Sequence, residues 1–329
     1  TGVQRVLFRS KVGGRNFQIR PSDVILGQAV ASIEGRWTFR PGISPYNAVR
    51  VQSKVGGAGI FAPVDLFFKS LTGKPAFSTT AQATAGRQDV EICLCLDRSM
   101  SMSLRADGFT YASGNPLLYP RSYYPSVALQ NDCSPPHPTL SRWAALRDAV
   151  NIFLTEAGSV QSPPRTSLVT WSSSMRQAYY PRLTSTEVTR EVALPSATNF
   201  NWTANCNAIT QRMQTLSNAP LIGGTKLSNG IDEAVLTLTG SNSLVQSNKI
   251  IILFTDGMWE NCRPPEDAAR DAANAGVVIH CVSLLTGSQQ VLRNIATITG
   301  GSYTDASNAT QLRTTFQNLA RAVSIVLTD

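Results

Sequence analysis

The sequence contains few of the residues that catalysis usually requires. Only two of its 329 residues are histidines, His137 and His280. His280 lies within an apolar run and His137 stands between prolines, so neither has the setting of a Ser-His-Asp triad. A phosphate-binding loop is also missing, because Gly223-Gly224-Thr225-Lys226 lacks the spacing of that motif. These absences argue against a hydrolase or an ATPase, and we expect a protein that is not an enzyme.

Long apolar runs and paired cysteine motifs are absent as well. No run reaches the roughly eighteen apolar residues of a membrane-spanning helix. The six cysteines show no Cys-x-x-Cys or Cys/His spacing, which argues against a zinc or redox motif. Cys93, Cys95 and Cys281 lie in apolar runs and are expected to be buried. Cys133, Cys206 and Cys262 lie in polar stretches, where one disulfide would leave one thiol over. All three pairings of these cysteines stay open.

The net charge of +8 is concentrated at one end of the chain. Residues 1–85 hold eleven Lys or Arg against three Asp or Glu, and residues 86–329 are neutral overall. The basic residues are scattered singly and do not alternate with aromatic residues, so we expect no nucleic-acid binding. A weak affinity for anionic lipid or polysaccharide is the more natural interpretation.

What the sequence does contain is a set of oxygen-bearing side chains at the ends of predicted strands. Asp97, Ser99 and Ser101 follow the apolar run that begins at Val90, Thr225 precedes a predicted helix, and Asp256 follows a second apolar run. Such hard oxygen donors suit Mg²⁺, Mn²⁺ or Ca²⁺. The alternative is that these side chains only cap backbone N–H groups of a strand-to-helix turn.

From Gln88 onward, predicted strands and helices alternate, which indicates an α/β fold with a mostly parallel sheet. A long stretch at 103–138, rich in Tyr and Pro, separates the first strand from the first helix, and we treat it as an insertion. Further expectations are a helix from Thr139 or Ser141 to Gly158, an antiparallel strand at Met175–Leu183, a last helix at Ala309–Val323, and an apolar tail at Ser324–Thr328 that pairs with the N-terminal unit.

The five site residues resemble the metal-ion-dependent adhesion site of von Willebrand factor A domains. The matching motif is Asp97-x-Ser99-x-Ser101, then Thr225, then Thr255-Asp256-Gly257, with Met100 where the family usually has glycine. The resemblance implies a Rossmann-like fold in which Ser99, Ser101 and Thr225 bind the metal through hydroxyls. It further implies that Asp97 and Asp256 hold the metal directly or through water, with one position left for a partner's carboxylate.

Residues 11–86 form short alternating stretches broken by Gly and Pro, which predicts a small β-rich unit. They resemble TadE/TadG-like proteins of the bacterial tight-adherence (Flp) pilus apparatus through Gly35-Arg36-Trp37, Asn47–Val51, Val64–Phe68 and Thr80–Ala85. The resemblance implies a pilin-like domain, an inner-membrane helix upstream of the sequence and a location outside the cytoplasm. Residues 1–10 look like a translated sequencing adapter and are set aside as an artefact.

We therefore expect three segments: the artefact at 1–10, the TadE/TadG-like region at 11–86, and a von Willebrand factor A domain at 87–329. The leading hypothesis is a metal-dependent adhesion or pilus-assembly protein of the cell envelope that binds an acidic residue of a protein partner, such as a pilus or surface component. The alternative is a cytoplasmic cofactor of an AAA-type ATPase, which uses the same metal site but needs no pilin-like unit.

Overall fold

The structure of the chain is a computed structural model. It describes residues 10–12, 15–17, 21–31, 37–43, 48–55, 64–65, 76–77, 79–86, 89–107, 135–160, 162–176, 184–245, 247–259, 262–285 and 289–324. The chain divides into two compact units, and the boundary in the sequence falls between Gln88 and Asp89.

The N-terminal unit is built from antiparallel strands. Its main sheet has four strands in the order β4-β3-β5-β8, and β1-β2 and β6-β7 form two-stranded ladders. This small antiparallel sheet confirms the predicted β-rich character of the region. The strands are β1 (Ser10–Val12), β2 (Arg15–Phe17), β3 (Val24–Ala31), β4 (Trp37–Pro41), β5 (Ala48–Val55), β6 (Val64–Asp65), β7 (Ala76–Phe77) and β8 (Thr79–Gly86).

The second unit is built on a six-stranded sheet in the order β13-β10-β9-β14-β15-β16. All its pairings are parallel except that of β10 with β13, as the alternating pattern of the sequence predicts. A separate hairpin is formed by β11 and β12. The strands are β9 (Val90–Asp97), β10 (Arg165–Trp171), β11 (Met175–Arg176), β12 (Thr184–Ser185), β13 (Val188–Val192), β14 (Asn248–Thr255), β15 (Val277–Leu284) and β16 (Tyr303–Ala306).

Helices cover both faces of this sheet. The helices are α1 (Arg142–Gly158), α2 (Trp202–Ser217), α3 (Leu227–Thr239), α4 (Pro265–Asn274), α5 (Gln290–Thr299) and α6 (Ala309–Ser324). One face packs against α3, α4 and α5, and on the other Phe316 of α6 contacts the rings of Phe153 in α1 and Phe254 in β14. Because both faces are covered, β9 and β10 are buried along their whole length, which explains the apolar run of β9.

Local signals set the beginnings of two helices. The Ser141 hydroxyl accepts a hydrogen bond from the Ala144 N–H at the start of α1, and the Asn201 side chain accepts one from the Ala204 N–H at the start of α2. Side-chain caps of this kind satisfy N–H groups that the first helical turn leaves unpaired. The structure therefore begins α1 after Ser141, which was one of the two predicted caps.

The structure corrects the prediction for the edge of the sheet. The antiparallel partner of β10 is β13, so the predicted pairing of Met175–Leu183 with β10 is wrong; Met175–Arg176 pairs with β12, and residues 177–183 lie outside the described residues. Pro181 lies inside the predicted strand and cannot donate to a ladder, whereas in β13 Glu191 accepts a hydrogen bond of 2.6 Å from Thr170. Strand β16 and helix α5 were not predicted.

Other expectations fall on parts of the chain that the structure leaves undescribed. These are most of the insertion, the C-terminal tail from residue 325 and Cys133. Of the cysteines in polar stretches, Cys206 and Cys262 are free thiols, and Cys93, Cys95 and Cys281 are buried free thiols as predicted. In the described ranges no helix has the length and apolar character needed to cross a membrane.

Candidate functional site

The topology brings the ends of two neighbouring strands together at one edge of the sheet. Strands β9 and β14 pair in parallel, with Leu96 opposite Phe254, so Asp97 and Thr255 emerge side by side at their carboxyl ends. In open α/β sheets, ligands bind in the crevice outside this edge. Asp97, Thr255 and Asp256 therefore lie where a binding site is expected.

Asp97 is fully buried and is held by hydrogen bonds to both carboxylate oxygens. Its Oδ1 accepts a bond of 2.7 Å from the Ser99 N–H, and its Oδ2 accepts one of 2.7 Å from the Thr255 hydroxyl. Each carboxylate oxygen thus has a protein donor, which fixes the side chain in one orientation.

The two serines of the predicted motif point to the same place. The hydroxyl oxygens of Ser99 and Ser101 lie 3.0 Å apart, and the Ser101 hydroxyl donates to Asp256 Oδ1 over 2.7 Å. The connecting turn is 3₁₀-helical at Met100–Ser103, and the Met100 N–H donates to the Gly223 carbonyl over 2.9 Å. Met100 in place of the family's glycine is therefore compatible with a turn that brings the two hydroxyls together and joins that of Ser101 to Asp256.

Thr225 completes the group through the loop before α3. Its hydroxyl oxygen lies 3.3 Å from the position that a Cβ on Gly257 would take, and the Ser101 hydroxyl oxygen lies 3.8 Å from the same point. The loop is shaped by Gly223, whose φ of +103° is a left-handed conformation. The Ser173 hydroxyl accepts a 2.6 Å hydrogen bond from the Gly224 N–H and so anchors the loop. All five predicted residues are thus brought together.

An arginine that the sequence did not indicate lies beside them. Arg142 Nη1 donates to Asp256 Oδ2 over 2.7 Å, and the Asp256 side chain is fully buried. Arg142 is the first residue of α1, and its backbone N–H donates to the Leu104 carbonyl over 2.8 Å. The start of α1 is therefore bound to the segment that follows Ser101.

Burial dominates the electrostatics of the two carboxyl groups. It raises the pKa of Asp97 to about 7, the charge of Asp256 adds to this rise, and the hydrogen bonds from Ser99 and Thr255 oppose it. Burial also raises the pKa of Asp256, against the hydrogen bond and charge of Arg142. Two neighbouring buried carboxylates favour the binding of a cation, which would relieve both the desolvation and their mutual repulsion.

The donor set fits a hard divalent cation. The described residues contain no group of three or more His, Cys, Asp or Glu side chains that could hold a metal ion, so a cation at this site would depend on hydroxyl oxygens as well as on the two carboxylates. The site offers only oxygen atoms from hydroxyls and carboxylates. Because Gly257 has no side chain, the space beside the Thr225 and Ser101 hydroxyls stays open.

Comparisons with known proteins identify the family. A sequence model described as the von Willebrand factor type A domain matches residues 139–318. The chain belongs to the von Willebrand factor A (VWA) family. VWA domains typically act as protein-interaction modules, and many bind a divalent metal. The match begins after the insertion and includes Thr225 and Asp256, but Asp97, Ser99 and Ser101 precede it.

Several solved structures are similar to this chain at low sequence identity. Proximal thread matrix protein 1 from the mussel byssus is 18% identical with a TM-score of 0.47, and the match covers 71% of this chain and 47% of the mussel chain. BatB from Bacteroides thetaiotaomicron is 16% identical with a TM-score of 0.44, covering 72% of this chain and 100% of its own. The chain thus spans about half the length of the mussel protein. Curated protein sequences give no match.

Three residues of the site escaped the sequence reasoning. The sequence motif includes Thr255 without giving it a role, whereas its hydroxyl donates a hydrogen bond to Asp97. Ser173 lies in a loop after β10, with nothing in its sequence context to connect it with Gly224. Arg142 is separated from Ser101 by the insertion, and its position at the start of a helix was the only available signal.

Proposed function

We propose that the VWA domain binds a divalent cation, with Mg²⁺ the expected ion and Mn²⁺ or Ca²⁺ the alternatives, and uses it to capture an acidic residue of a protein partner. The residues that would hold the ion are Asp97, Ser99, Ser101, Thr225 and Asp256. One observation carries the proposal: the Ser101 and Thr225 hydroxyls, from distant parts of the chain, approach the same space beside Gly257. This convergence supports one ion joining both loops.

The composition of the site favours binding over hydrolysis. Three of the five proposed ligands are neutral hydroxyls, so a bound ion would stay electron-poor and attract an anionic ligand. Asp97 and Asp256 are buried and oriented by hydrogen bonds from protein groups, which suits them to holding an ion. Ser101 is only partly buried and lies where a partner's carboxylate could approach.

We further propose an envelope protein of the tight-adherence type, with a TadE/TadG-like region at 11–86 and a VWA domain at 87–329. Two segments that carry the resemblance, within Asn47–Val51 and Thr80–Ala85, pair as neighbouring strands, with Val49 opposite Ala85 and Arg50 opposite Thr84. Their pairing supports one structural unit. The proposed location is extracytoplasmic, with an anchor in the inner membrane, and protease accessibility of the full-length protein in spheroplasts tests it.

The metal-binding proposal is tested with two variants and one control. Asp97→Ala and Asp256→Ala should each abolish Mn²⁺ or Mg²⁺ binding in calorimetry, because each removes a buried carboxylate from the proposed ligand set. Asp148→Ala is the matched control, since this carboxylate pairs with Arg313 on the surface. Circular dichroism verifies that all three variants fold. Unchanged metal affinity in both Asp97→Ala and Asp256→Ala would contradict the proposal.

A further inference from the structure

The contact between Arg142 and Asp256 places a protein cation beside the proposed metal ligands. The bond from Arg142 Nη1 to Asp256 Oδ2 is 2.7 Å long, and the Arg142 side chain is only 15% exposed. The opposite carboxylate oxygen, Oδ1, accepts from the Ser101 hydroxyl. Asp256 is thus shared between a residue of the proposed site and a charged group from α1.

Arg142 binds the Asp256 carboxylate through a single hydrogen bond. An arginine that serves only to fix a carboxylate commonly does so with two parallel N–H···O bonds. Here one bond to Asp256 is present, and the buried Nε of Arg142 has no hydrogen-bond partner within the described residues. Displacing the guanidinium from Asp256 therefore requires the loss of one hydrogen bond rather than two.

The charge balance of the site is also incomplete without a metal. Asp97 and Asp256 are both buried, and within the described chain Arg142 is the one cationic side chain that contacts either carboxylate within 4 Å. The nearby Arg98 instead donates to Thr170 and Thr186. A divalent ion held by Asp256 would lie close to the guanidinium, and two cations at short range repel each other strongly where water is largely excluded.

We propose that Arg142 is a resident counter-ion that competes with the divalent cation for Asp256 and so weakens the metal affinity of the site. The inference rests on the proposed metal-binding function. A guanidinium that stabilises the metal-free site more than the metal-bound site lowers metal affinity by the factor that corresponds to this difference. Arg142 thereby stabilises the metal-free domain and favours release of the metal.

The test compares Arg142→Gln and Arg142→Lys with the wild-type chain. Arg147→Gln is the matched control, because Arg147 lies on the same helix with a side chain 19% exposed and is absent from the site. Mn²⁺ affinity is measured by calorimetry at pH 8 after removal of metal with EDTA, and thermal unfolding is followed with EDTA and with saturating Mn²⁺.

Competition predicts opposite effects on affinity and on metal-free stability. Arg142→Gln should bind Mn²⁺ at least about tenfold more tightly than wild type, since the repulsion between the two cations is lost. The same variant should melt at a lower temperature in EDTA and gain more from Mn²⁺. Arg142→Lys, which keeps the charge on a different side chain, should tighten binding less, and Arg147→Gln should match wild type.

A role for Arg142 in orienting Asp256 for the metal gives the opposite result. Affinity in Arg142→Gln that is weaker than or equal to that of wild type overturns the inference while leaving the proposed function intact. If Arg142→Gln does not fold, Arg142→Lys decides, because tightening supports competition and weakening contradicts it. Absence of Mn²⁺ binding in all four proteins would overturn the inference together with the proposed function.

Discussion

A substitution at Gly257 tests whether the space between the loops that carry Ser101 and Thr225 is needed for metal binding. The substitution Gly257→Ala adds one methyl group at a point 3.3 Å from the Thr225 hydroxyl oxygen and 3.8 Å from the Ser101 hydroxyl oxygen. The backbone of Gly257 does not adopt a left-handed φ, so alanine is compatible with its conformation. The perturbation therefore acts on the space itself.

The expected effect follows from the crowding. Inserting a methyl group into a well-packed region typically costs about 1–3 kcal/mol. In the metal-free protein, small movement of Thr225 and a gain of roughly 0.4–1 kcal/mol from the stiffer unfolded chain offset much of that cost. An ion that must contact both hydroxyls prevents this movement of Thr225, so the cost of the added methyl group appears as weaker metal binding. Because each tenfold in affinity corresponds to about 1.4 kcal/mol, we expect a loss of about tenfold to a hundredfold in Mn²⁺ affinity.

Calorimetry with Mn²⁺ measures this loss, and thermal unfolding in EDTA shows whether the fold is retained. Gly240→Ala is the control, because its added Cβ would lie 3.1 Å from the Leu236 carbonyl oxygen, away from the proposed ligands. The control should bind Mn²⁺ like wild type. If Gly257→Ala also binds like wild type, the ion does not lie between the Thr225 and Ser101 hydroxyls and the reasoning fails.

Three further predictions concern the scaffold. Arg165→Met leaves the buried Glu91 carboxylate with Lys249, 3.9 Å away, as its remaining ion-pair partner, so urea unfolding should show a loss of about 3 kcal/mol. Phe316→Ala removes the ring that joins α6 to α1 and β14 and should cost about 3–5 kcal/mol in the same assay. Burial raises the pKa of the thiols of Cys93, Cys95 and Cys281, that of Cys93 to about 12. At pH 8 a thiol reagent should therefore not modify these three cysteines until the protein is denatured.

The raised thiol pKa values also make the stability of the folded protein depend on pH. A thiol whose folded pKa lies above its ordinary value of 9.0 favours the protonated form in the native state. Its contribution to stability is complete below about pH 9 and is lost as the pH rises towards 12. Replacing Cys93 with alanine should therefore flatten the alkaline limb of a stability profile, and a profile that keeps its slope would contradict the assignment.

The fold was predictable where one local signal dominated. The apolar runs of β9 and β14 identify buried strands because both faces of the sheet are covered, and Ser141 marks the start of α1 by its capping hydroxyl. The edge strand β13 was missed because it is only half-buried, so its apolar pattern is weak and its partner is chosen by tertiary contacts.

The proximity of the five proposed ligands was predictable because each lies at or beside the end of a recognisable element. The remaining contacts of the site depend on distances that the sequence does not contain. Arg142 reaches Asp256 across a separation of 114 residues, and Ser173 reaches Gly224 across 51. Contacts between such distant residues follow from the sheet order, which periodicity alone does not determine.

The most direct test of the metal site is crystallographic. Crystals of the full chain soaked in Mn²⁺ should give one anomalous peak bounded by the Ser99, Ser101 and Thr225 hydroxyls, at roughly 2–2.5 Å from each oxygen that binds it. Asp97 and Asp256 should lie in direct contact with the ion or one water away. No peak at this position at saturating Mn²⁺, or a peak only elsewhere on the protein, would contradict the account.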